Sequence, residues 1–183
     1  MQAMRGARLV GLIAVAIAFF VAPGSGIASQ VNAQTSRVFR GPGLVLRYTS
    51  SLYVSTRPLD SITNPVQRFV LSTYPVPDDR LNANGNYTPP LTAVIAELLE
   101  EVPPSDPAFQ APLRPRQFLL PKLSDHLEGF GDRWAELPFR AHGRDFYIFL
   151  GVGDRASSSK VALVLRTLDA LAISAPPPSV TGA

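Results

Sequence analysis

Arg133 to Arg140 (RWAELPFR), Ala141-His142-Gly143 and Arg144 to Leu150 (RDFYIFL) read as two strands joined by a tight turn, with glycine where a positive φ is needed. Phe146, Ile148 and Leu150 face one way and Tyr147 and Phe149 the other, so the second strand is apolar on both faces and belongs inside a sheet. Downstream, Ser157-Ser158-Ser159 offers N-caps to a helix over about Lys160 to Ala172. Val161, Val164, Leu165, Leu168 and Leu171 recur at three- and four-residue spacing, a broad apolar stripe that must cover a sheet face. The pattern predicts an α+β fold, an antiparallel sheet with a C-terminal amphipathic helix packed on the hairpin. Phe146, Ile148 and Leu168 should be buried against one another.

Upstream the signals are mostly those of strands. Leu44, Leu46 and Tyr48 alternate with Val45 and Arg47; Leu52-Tyr53-Val54 follows a Thr49-Ser50-Ser51 turn; and Val66 to Tyr74 is rich in β-branched and aromatic residues. In the last of these, Phe69, Leu71 and Thr73 share one face and Arg68, Val70 and Ser72 the other, which predicts one buried and one mixed face. Pro75 to Pro90 reads as a loop, Pro103 to Pro115 as a connector and Arg116 to Leu120 as a short strand ended by Pro121. Leu91 to Val102 fits two descriptions. Ala93, Ala96, Glu97, Leu98 and Leu99 are good helix formers, while an apolar run bounded by prolines on both sides also suits a buried strand.

The chain's start reads as an export signal. Arg5 and Arg8 supply a basic region, Leu9 to Ala22 is an apolar run of 14 residues, and Val31-Asn32-Ala33 is a small-x-small cleavage site that would leave Gln34 first. A cut after Gly26-Ile27-Ala28 also satisfies the small-residue rule. At about 1.5 Å per residue the apolar run is too short for a hydrocarbon core of about 30 Å, and Pro23-Gly24-Ser25-Gly26 stops it. The expected organisation is a signal peptide over 1–33, a flexible N-terminus over 34–42, a single α+β domain over 43–174 and a disordered tail over 175–183, with no transmembrane helix after cleavage.

Composition excludes several function classes. Of 183 residues none is cysteine, so there is no disulfide, thiolate nucleophile, Cys-ligated metal or lipid-modified cysteine. Without Arg5 and Arg8 the 17 basic residues fall to 15 against 14 acidic, a balance that does not support nucleic-acid binding.

Gly43-Leu44-Val45-Leu46-Arg47-Tyr48, Arg114-Pro115-Arg116, Gly129-Phe130-Gly131, His142-Gly143-Arg144 before an aromatic strand, Leu150-Gly151 and the closing helix together resemble a group of uncharacterised exported actinobacterial domains. The opening strand–tyrosine–turn–strand pattern and the amphipathic helix also resemble the PsbP/Mog1-like α/β/α sandwich. That resemblance implies accessory or binding proteins, not catalysts.

Candidate chemistry is sparse. The only histidines are His126 and His142, and H-E-x-x-H is absent, so no metal site and no cofactor is expected. No G-x-S-x-G elbow occurs after the signal; Ser157 to Ser159 is better explained by helix capping. Asn82-Ala83-Asn84-Gly85 lacks the first and last ligands of a calcium loop, since Arg80 and Leu91 occupy those positions. Arginines are the feature that stands out. Arg114, Arg116, Arg133, Arg140 and Arg144 bracket the hairpin, and guanidinium groups suit carboxylate or phosphate recognition; Arg114, Arg116, Arg140 and Arg144, with His142, are the candidate binding residues. Asp125, Glu128, Asp132, Glu136 and Asp145 are near enough in sequence to neutralise them as structural ion pairs instead. A binding patch requires at least two of Arg116, Arg140 and Arg144 on neighbouring strands with side chains on one side. The expected function is an exported, non-enzymatic accessory or binding domain for an envelope or extracellular protein or an anionic ligand. The alternative is a secreted hydrolase using carboxylates alone, such as Asp78 or Asp79 with Glu97.

Overall fold

The computed structural model describes residues 35–57, 64–77, 89–104, 111–124 and 133–175. The signal segment with its Ala33–Gln34 cut, Asp78, Asp79, the Asn82–Gly85 loop, Asp125, His126, Glu128, Asp132 and the tail beyond 175 lie outside the described residues.

Among the described residues, eight strands and one helix follow in the order β1 (Ser36–Gly41), β2 (Leu44–Thr49), β3 (Tyr53–Ser55), β4 (Val66–Ser72), β5 (Val94–Glu101), β6 (Trp134–Ala141), β7 (Arg144–Val152), α1 (Ser158–Asp169) and β8 (Ala172–Ile173). They make two antiparallel sheets, one of three strands ordered β1-β2-β8 and one of five ordered β3-β4-β5-β7-β6. The class is α+β, with two sheets where the sequence suggested one.

The larger sheet is built around β5 and β7. β5 pairs with β4 on one side and with β7 on the other, which makes Val94–Glu101, within the 91–102 segment, a strand and not a helix. Helix propensity loses there because Val94, Ala96 and Leu98 enter the main core while Ile95 packs behind the sheet with Val70 and Trp134. A helix could not bury both sets between two flanking strands. β7 is interior, as its two apolar faces require, and β6 is the edge on which Pro138 is tolerated. The hairpin turns through His142 (φ 52°) and Gly143 (φ 73°), two consecutive positive-φ residues as a two-residue type I′ turn demands.

In β4 the two faces are not divided as the alternation suggested. A bulge between Gln67 and Phe69 breaks the register, so Arg68 does not line up with Val70 but reaches Glu100. Val70 and Ser72 are buried on the reverse face, as Phe69 and Leu71 are on the core face.

The smaller sheet corrects the expected flexible N-terminus. Ser36–Gly41 is a strand because Pro42 and Gly43 (φ 66°) turn it back onto β2, pairing Gly41 with Leu44 and Ser36 with Thr49. Phe39, Leu44, Leu46, Tyr48 and Ile173 point into the main core, where Phe39 meets Phe69 edge-on at 5.2 Å and so joins the two sheets.

α1 starts where the serines predict, with Ser157 as N-cap accepting from the Lys160 amide, but ends at Asp169 instead of Ala172. Its last residues are claimed by another element. Ala172 and Ile173 extend to pair with Val45 and Leu44 as β8. Val161, Val164, Leu165 and Leu168 are buried, and the helix lies mainly over β5 and β2 rather than over the hairpin; Phe146, Ile148 and Leu168 share the one core. Arg116–Leu120, expected as a strand, is not one: between Pro115 and Pro121 the Phe118 amide donates to the Asp169 carboxylate at 2.7 Å, and Leu119 and Leu120 are exposed.

Candidate functional site

The five residues singled out from sequence do not converge. Arg144 and Arg140 lie on neighbouring strands, but the register sets Arg144 opposite Ala141 and Arg140 opposite Asp145, so their side chains leave opposite faces. The single-sided arrangement required for a patch is therefore absent.

Arg144 is a structural hub. Its Nε and Nη2 donate to the two carboxylate oxygens of Glu100 at 2.7 and 2.6 Å. Nη1 donates to the carbonyls of Gly43 (3.3 Å) and Ser174 (3.1 Å), and Nη2 also to that of Pro42 (3.1 Å). Arg68 Nε completes the group at 2.5 Å from Glu100 Oε2. A buried carboxylate between two guanidiniums is the arrangement that makes buried charge tolerable. Burial alone would raise the Glu100 pKa, but hydrogen bonds and charge from Arg144 and Arg68 outweigh it and hold the carboxyl below its ordinary 4.5.

Arg140 forms a two-pronged pair with fully buried Asp145, at 2.8 and 2.9 Å. Arg114 closes the end of α1, donating to the carbonyls of Leu168 (2.9 Å), Asp169 (3.1 Å) and Leu171 (2.6 Å) while stacking over Phe118 and Phe139. Burial lowers its pKa, and the Asp169 charge acts to raise it. His142 is exposed at the turn, where its positive φ is explained by the hairpin. Arg116 is exposed and makes no ion pair, in a segment that also exposes Leu113, Leu119 and Leu120.

Another set of arginines, which the sequence reading passed over, does share a face. The smaller sheet contains Arg37, Arg40 and Arg47 and no acidic residue. Register places Val38 opposite Arg47 and Arg40 opposite Val45, so Val38, Arg40, Val45 and Arg47 form one outward face, with Ala172 beside Val45. Neither Arg40 nor Arg47 makes an ion pair or side-chain hydrogen bond. An open groove of about 380 Å³ adjoins Arg40, lined by Arg40, Gly41, Gly43, Leu44, Val45, Ala172, Ile173 and Ser174. Beneath its rim the Arg144 guanidinium clamps the Pro42, Gly43 and Ser174 carbonyls, which makes that wall rigid. The available signal was the absence of any carboxylate between Thr35 and Arg57, which is visible in the sequence only once that stretch is known to be one sheet.

Chemically, this face can attract an anion with an apolar body. Elsewhere, Glu97, a carboxylate of the hydrolase reading, is buried at mid-strand in β5, and its suggested partners Asp78 and Asp79 lie outside the described residues. Among the described residues no group of three or more His, Asp or Glu side chains is placed to hold a metal ion. Comparison of the chain with protein-family models, with curated proteins and with solved structures finds no match in any of the three.

Proposed function

We propose that this chain is an exported, non-enzymatic domain that works at or outside the cell envelope by binding an anionic ligand or partner on the outer face of its smaller sheet. The observation that carries the reading is the pair Arg40 and Arg47, two guanidiniums on one face with no carboxylate in their sheet, the first of them lining an open, partly apolar groove. Uncompensated like charges on one face raise the local potential and favour an anion. The strand–turn–strand opening and the closing amphipathic helix support assigning it to the exported actinobacterial domains it resembles, with the PsbP/Mog1-like sandwich as the finer fold reading.

Two measurements test this. Binding of polyglutamate to the full chain should be salt-sensitive and should fall by about tenfold or more in Arg40→Gln/Arg47→Gln at unchanged thermal midpoint. Equal binding by the double variant overturns the site. Mass spectrometry of the protein recovered outside the producing cell should find Gln34, or its cyclised form, at the N-terminus; an intact Met1 on exported protein, or none exported, overturns the localisation.

A further inference from the structure

The smaller sheet ends in an open edge. Among the described residues β1 pairs only with β2, and no strand lies on its other side. Its hydrogen-bond phase is set by the two-residue turn and by the Ser50 amide donating to the Thr35 carbonyl at 3.0 Å: residues 35, 37, 39 and 41 direct their main-chain groups at β2. Those of Ser36, Val38 and Arg40 therefore point outward, and none has a partner among the described residues. Val38 is 41% exposed. Three outward pairs of donor and acceptor along an exposed strand form a template for one more strand.

We infer that β1 accepts an extended, acidic segment of a partner protein as a fourth strand, with carboxylates on the outer face beside Arg40 and one strand away from Arg47, and apolar side chains continuing the inner face beyond Phe39. This rests on the Arg40/Arg47 reading above and gives its partner a class. Charge selects that occupant. A second copy would bring an edge strand carrying Arg37 and Arg40 against the same cationic strand of its partner, with no carboxylate in either sheet, and this excess of like charge disfavours self-pairing. A strand alternating acidic and apolar residues meets opposite charge on one face and the rim of the core on the other.

The probe is a heptapeptide alternating Glu and Val, titrated into the full chain, with three comparisons: its Lys–Val counterpart, the same Glu–Val peptide N-methylated at alternate residues, and the protein variant Val38→Pro. Proline at an outward position of an edge strand removes one donor and blocks the approach of a strand while leaving both arginines in place. The Glu–Val peptide should bind and should slow amide exchange at Val38 and Arg40. Affinity should drop about tenfold or more for the Lys–Val peptide, for the N-methylated peptide and in Val38→Pro. If Val38→Pro does not fold, the N-methylated peptide decides alone, because the protein is then unaltered. Equal binding of the N-methylated and plain peptides, with loss only in Arg40→Gln/Arg47→Gln, overturns strand addition and leaves the anion-binding face standing. Failure of both polyglutamate and the Glu–Val peptide to bind overturns both, and the edge arginines then serve only to prevent self-pairing.

Discussion

Arg144 holds both carboxylate oxygens of Glu100, at 2.7 and 2.6 Å, from a position where its remaining N–H groups reach the carbonyls of Pro42, Gly43 and Ser174. One side chain thus ties β5 and β7 of the larger sheet to the β1–β2 turn and the end of β8. Arginine suits this position because its planar fork serves five acceptors at fixed angles, which an ammonium on a flexible stem cannot do.

Arg144→Met should therefore destabilise the fold by about 3 to 5 kcal/mol, since the Glu100 charge stays buried with only Arg68 for company. Arg144→Lys should recover less than half of that loss. Denaturant melts of the three proteins check it, and full recovery by lysine would show that charge alone matters there.

Glu100 makes stability depend on pH in a defined direction. Its folded pKa is depressed, so its contribution is complete above about 4.5 and is lost as pH falls below that value through the folded pKa. The midpoint of urea unfolding should drop between neutral pH and acid, with a smaller drop in Glu100→Gln, which has no proton to take up. A parallel pH dependence in the two proteins would remove Glu100 from that role.

Gly43 and Gly143 have similar positive φ, 66° and 73°, but different surroundings. A Cβ on Gly43 would come within 2.5 Å of Arg144 Nη1, whereas one on Gly143 meets nothing within 4 Å. Gly143→Ala should cost about 1 kcal/mol from backbone strain alone. Gly43→Ala should cost clearly more, because it also displaces the guanidinium, and it should weaken polyglutamate binding by deforming the groove wall.

What could be seen in the sequence was local. The β6–β7 turn, the Ser157 cap and the stripe from Val161 to Leu168 each depend on residues a few positions apart, and the structure reproduces them. What could not be seen depended on distant partners. β1 has only Val38 and Phe39 as an apolar core between arginines, and it is a strand because β2 pairs with it. β5 carries helix-forming residues that two flanking strands override. The arginine group was misplaced for the same reason: Glu100, the acceptor of Arg144, is 44 residues away, and Arg114's acceptors at the end of α1 are more than 50 away. Arg40 and Arg47 gain meaning only from the cross-strand register that puts them on one face.

The pairing of Arg140 with Asp145 gives a further expectation. Asp145 is fully buried and takes both prongs of Arg140 across the β6–β7 pair. Arg140→Ala should cost about 3 kcal/mol by removing the guanidinium that pairs with this buried carboxylate, and it should leave polyglutamate binding unchanged. Loss of binding at unchanged stability would instead return Arg140 to the binding surface.

Phe146 tests whether β7 is the spine of the larger sheet. Its ring is fully buried, stacked on Phe139 with centroids 5.1 Å apart, and the Arg144 guanidinium lies 5.0 Å from its centroid. Phe146→Ala removes the transfer energy of an aromatic side chain and leaves a cavity under a buried charge, so the loss should be about 3 to 5 kcal/mol. Part of that loss belongs to the stack. Phe139→Ala and the double variant should show a coupling energy of about 0.5 to 1.5 kcal/mol, the range for contacting aromatic pairs. A loss below about 1 kcal/mol for Phe146→Ala in denaturant melts would mean that the core collapses onto the vacancy, which a strand hydrogen-bonded on both sides by β5 and β6 cannot readily do.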